Sequence, residues 1–73
     1  MNYFTLSSVS IDMKQEELND KAFWKKLSAI GLHVKESREL GLVCEYSGIS
    51  EDMAIEMFED VYWKHFHPKV IRF

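Results

Sequence analysis

Residues 29–50 read AIGLHVKESRELGLVCEYSGIS, and three glycines, at 31, 41 and 48, divide the stretch into an ending, a hairpin and a beginning. Gly31 follows "DKAFWKKLSAI", where Phe23, Leu27 and Ile30 stand at i, i+4 and i+7, one face of a helix. A glycine one place beyond such a run fits C′, where a left-handed residue closes the last turn, and Leu32 fits the apolar C″ position. Then Leu32 and Val34, and after them Leu40, Leu42, Cys44 and Tyr46, alternate with polar or small residues, which predicts two strands. The charged segment from Glu36 to Glu39 supplies the turn. It has no Asn-Gly or Asp-Gly pair, so a loop longer than two residues is expected. Gly48 and Ser50 open a second helical run, with Ser50 as N-cap.

Working outward, "EDMAIEMFEDVYWKHFHP" (51–68) predicts a helix to about His65 or Phe66, because Pro68 pushes His67 out of the helical region. Glu51 and Asp52 place negative charge on its N-terminus, where the helix dipole favours it. "KVIRF" at the C-terminus is short and β-branched and predicts a last strand. Upstream, "YFTLSSVSI" (3–11) predicts a first strand, with Val9, Ile11 and Met13 alternating against Ser10 and Asp12 and a disturbance at Ser7–Ser8. Asn19 or Asp20 caps the first helix; on a longer version Asp12 does so, with Gln15 in capping-box spacing. Residues 13–18 fit helix or loop. The order is β-α-β-β-α-β. It predicts an α+β, ferredoxin-like domain spanning 1–73, with two helices on one face of a four-stranded antiparallel sheet.

Composition bounds the function. The chain has 73 residues, 47% hydrophobic and 29% charged, and its net charge is −3. That is the balance of one folded domain with a small core. Cys44 is the sole cysteine, which excludes an intrachain disulfide and points to a reducing, cytoplasmic setting. No basic leader precedes an apolar run, and no run approaches bilayer length, so neither a signal peptide nor a membrane role is expected. An acidic chain gains no counterion-release affinity for phosphate backbones, so direct nucleic-acid binding is not expected. RNA-recognition modules share the element order, and Arg38, Gly41 and Val43 match their third-strand signature loosely. Leu40 and Leu42 stand where that signature needs stacking rings, and the chain is not assigned to them.

Chemistry-bearing patterns are sparse. His65-x-His67 with Cys44 and His33 departs from zinc spacings, so no metal or other cofactor is expected. Cys44 falls on the inward strand face, and no serine sits in a Gly-x-Ser-x-Gly elbow, so no catalytic residue is assigned. In the last helix Ala54, Met57, Phe58, Val61 and Tyr62 share one side. Asp52, Glu56, Glu59 and Asp60 lie opposite, with Trp63 among them. The acids admit two readings. In the first, they are a solvated face, paired with Lys14, Lys21, Lys25 and Lys26, and Trp63 folds onto Tyr62 or Phe66. In the second, Glu51, Asp52, Glu56, Glu59, Asp60, Trp63 and Lys64 form a contact surface for a larger protein with a basic surface. The second predicts a small non-catalytic binding domain of the size and charge of phage-type inhibitors or modulators of a host protein. The alternative is a small-molecule-sensing or homodimerising domain that uses an open sheet face including Val43 and Val70.

Overall fold

The computed structural model describes residues 2–69. Strand β1 is Asn2–Thr5, and helices α1 and α2 are Gln15–Leu18 and Lys21–Ala29. Strands β2 (His33–Ser37) and β3 (Gly41–Tyr46) follow, then helix α3 (Glu51–Phe66). The sheet order is β1-β3-β2, antiparallel at both seams. β1 and β2 therefore run parallel on either side of β3, with α2 as the crossover between them, a split β-α-β unit. These three strands correct the expected four-stranded ferredoxin-like sheet. The fourth strand, expected at 69–73, lies outside the described residues apart from Lys69, which is in a turn after Pro68.

Local chemistry explains most boundaries. Asp20 caps α2 by accepting from the Phe23 N–H at 3.0 Å. Neither Asn19 nor Asp12 caps it: α1 is a separate turn, whose start is held by Glu17 accepting from the Lys14 N–H at 3.0 Å. At the other end of α2, Gly31 takes φ +87°. The Leu32 N–H then bonds Leu27 O at 2.9 Å and the Gly31 N–H bonds Ser28 O at 3.1 Å, the paired bonds of a Schellman motif. The hairpin loop is Arg38–Leu40 and not the expected Glu36–Glu39: Glu36 and Ser37 still pair with β3, and Leu40, expected in a strand, lies in the loop, which Gly41 closes at φ +75° with the Ser37 hydroxyl accepting from the Leu40 N–H.

Two further expectations change. The first strand stops at Thr5, because the chain enters a 3₁₀ turn at Leu6–Ser8. There the Thr5 hydroxyl lies 3.1 Å from that of Ser7 and 2.7 Å from that of Ser8, short-range hydroxyl bonding of the kind that competes with a ladder. Val9, Ile11 and Met13 keep their alternation without pairing in the sheet. Ile30, expected in the core, is 43% exposed, because it is the C-cap of α2 and the chain turns there. Leu32, fully buried, takes the place.

The two long helices cover one face of the sheet, α2 over β2 and α3 over β1. Phe4 and Cys44 from the strands meet Phe23 and Leu27 from α2 and Ala54, Phe58 and Tyr62 from α3. Phe58 meets Phe4 edge-on at 5.8 Å and Phe23 at 5.5 Å between ring centroids. These near-perpendicular contacts place ring edges against ring faces, as the quadrupole favours.

Candidate protein-binding face

Helix α3 starts where the Ser50 hydroxyl accepts from the Met53 N–H at 3.2 Å. Its buried side is Ala54, Phe58 and Tyr62, with Met57 and Val61 partly covered. At 100° per residue this turns Asp52, Glu56 and Asp60 outward, and all three are exposed. From Asp52 to Trp63 the row runs about 16 Å along the axis. Lys64 lies beside it and pairs with Asp60 one turn back at 3.0 Å. Glu51 sits off the row, at the helix start near Tyr46. Burial first, then the charges of Glu51 and Asp52, raise the pKa of the Tyr46 phenol.

Two residues of the expected surface are more engaged than their spacing predicts. Glu59 is half-buried and accepts from the Ser10 hydroxyl at 2.9 Å. Trp63 is half-buried too. Its ring stands edge-on to Tyr62 at 5.2 Å and lies 5.2 Å from the His67 ring. The indole thus leans back onto Tyr62 instead of projecting among the acids.

The lysine pairing of the first reading does not form at the outward acids. Among the described residues, none of Lys14, Lys21, Lys25 and Lys26 comes within ion-pair distance of Asp52, Glu56 or Asp60. The Lys21 ammonium instead lies 4.4 Å from the Trp24 ring centroid, a cation–π contact. Beside the Ser10–Glu59 bond, two cross-layer contacts run from acids of the first half to groups on α3. Asp20 meets His65 Nε2 at 3.2 Å, and Glu17 accepts from the Tyr62 hydroxyl at 3.0 Å. His67 lies 3.9 Å from the other Glu17 oxygen. Burial and the Glu17 carboxylate push the Tyr62 phenol up to about 12.

The other flagged residues are dispersed. Cys44 is fully buried, and burial, helped by the Glu45 charge, pushes its thiol up to about 12, so it holds no thiolate at neutral pH. His33 shares a hydrogen bond with the Ser28 hydroxyl, whereas His65 and His67 meet Asp20 and Glu17. Among the described residues no group of three His, Cys, Asp or Glu side chains converges as metal ligands would. No described helix is long and apolar enough to cross a membrane. On the far sheet face Val43 is only 7% exposed, beside the Lys35–Glu45 ion pair of 2.9 Å. Val70 lies outside the described residues.

Sequence reading missed one feature. The segment after the 3₁₀ turn, α1 and the hairpin loop enclose a groove of about 630 Å³. Leu6, Val9, Ile11, Met13, Leu18, Leu40 and Leu42 line it, with Ser7, Ser10, Asp12 and Gln15 between them. Its signal was the alternation of Val9, Ile11 and Met13, which strand logic assigns to the core. No family model, curated protein or solved structure matches this chain.

Proposed function

We propose that this chain is a small non-catalytic binding domain whose outward α3 face takes a basic surface on a larger protein. A cytoplasmic, phage-type inhibitor or modulator of a host protein fits that description. One observation carries the reading: Asp52, Glu56 and Asp60 line up exposed on the longest helix, unbridged to a lysine of any other described element. Asp52 and Glu56 keep their field for a partner, and the exposed Asp60–Lys64 pair on the same helix is of the weak, solvent-screened kind that leaves Asp60 available to one. Trp63, half-buried at the end of the row, supplies a rigid aromatic edge of the kind enriched at interface hot spots.

Affinity capture with the wild type, a Glu56→Lys/Glu59→Lys double variant and Trp63→Ala, with melting curves for each, tests this. A partner retained by the wild type and lost by the folded double variant is the expected outcome. Equal capture by both shows that the acidic face does not bind the partner.

A further inference from the structure

We propose that the groove beside α3 is the apolar half of the same docking surface, and that its occupant is a basic amphipathic segment of the partner. The inference rests on the proposed role of α3 and names the chemistry of what binds there. The two surfaces share a border: Ser10 lines the groove, and its hydroxyl donates to Glu59 of α3 at 2.9 Å. Leu6, Ile11, Met13 and Leu42 are only partly covered by the rest of the chain, and Leu40 on the lip is 47% exposed. A groove of this volume accommodates a few aliphatic side chains, and a methionine in its wall adapts to their shape.

Charge selects the occupant. Among the described residues Asp12 is the only charged side chain lining the groove, no lysine or arginine does, and Glu59 stands at the shared edge. An acidic peptide or a fatty-acid carboxylate would be repelled there. A helix with aliphatic residues on one side and lysines or arginines on the other places the first in the groove and the second on Asp12 and the α3 carboxylates. The groove contributes retention, and the acids contribute orientation and capture rate.

The test is an amide-resonance titration of the full chain with a leucine–lysine amphipathic peptide. Two control peptides replace every leucine by serine or every lysine by glutamate. The leucine–lysine peptide is expected to shift Ile11, Met13 and Leu42 together with Glu56 and Asp60. Each control, and each of the exposed-site variants Leu40→Ser and Asp12→Lys, is expected to weaken binding at least about tenfold. Equal binding of the serine–lysine peptide, or shifts confined to α3, overturns the groove while leaving the acidic face standing. Equal binding of the leucine–glutamate peptide overturns the charge argument. Absence of binding by every peptide overturns both the groove and the acidic face.

Discussion

Asp20 serves both long helices with one carboxylate. One oxygen caps α2 at the Phe23 N–H and the other meets His65 of α3. The backbone hydrogen bond from Phe23, followed by His65, holds its pKa below the ordinary value of 3.8. A depressed carboxylate stabilises the fold above its unfolded pKa, and the contribution is lost as pH falls through the folded value. Asp20→Asn retains a capping side chain but removes the charge. Its stability deficit against the wild type is therefore expected at neutral pH and should shrink as the pH falls below 3.8; chemical denaturation across that range measures it. Tyr62 has the opposite sign. Its raised phenol contributes below the unfolded value of 10.0, and the contribution is lost as the pH climbs towards about 12. Tyr62→Phe, which deletes the hydroxyl bonded to Glu17, is expected to lower stability by about 1 kcal/mol at neutral pH, read from denaturation midpoints.

The α2 terminus shows how one element is ended. Nothing lies within 4 Å of where a Cβ on Gly31 would be, so a side chain there meets no obstacle. The penalty is in the backbone, since an L-residue at φ +87° costs about 1–2 kcal/mol. Gly31→Ala is expected to lose that much stability with an unchanged denaturant slope, as no buried surface is altered. On α3, exposure separates binding from folding. Glu56 stands mid-helix on the outer side, beyond the reach of the terminal dipole, so Glu56→Lys is expected to move stability by less than about 0.5 kcal/mol. A melting temperature close to that of the wild type confirms it, and loss of capture in a variant carrying that change then reports on the surface.

The whole molecule depends on a small aromatic centre. Phe58 is fully buried and touches a ring from β1 and a ring from α2, so it joins the sheet to both helices. Phe58→Ala is expected to cost about 3–5 kcal/mol, the size of the entire stability of a domain this short. Circular dichroism should therefore show an unfolded or molten chain at 37 °C. A cooperative transition at the wild-type midpoint would contradict the assigned role. Legible in the chain alone was chemistry acting within a few residues of itself. The Schellman end at Gly31, the Ser50 cap, a hairpin with a loop longer than two residues and the alternation of Cys44 and Tyr46 each follow from steric limits and hydrogen-bonding reach along the chain. Illegible was whatever partners far away decide. Asp20 with His65, and Glu17 with Tyr62, are each 45 positions apart. The chain alone leaves two readings of Trp63 open, and the rings of Tyr62 and His67 bring it back, while Ile30 faces water because the turn at Gly31 hands its place to Leu32. The groove forms where a run with strand alternation never joins the sheet and leaves its apolar side half-covered. Backbone geometry propagates over one turn or one hairpin, whereas burial depends on which surfaces the folded chain brings together, and only the tertiary structure decides that.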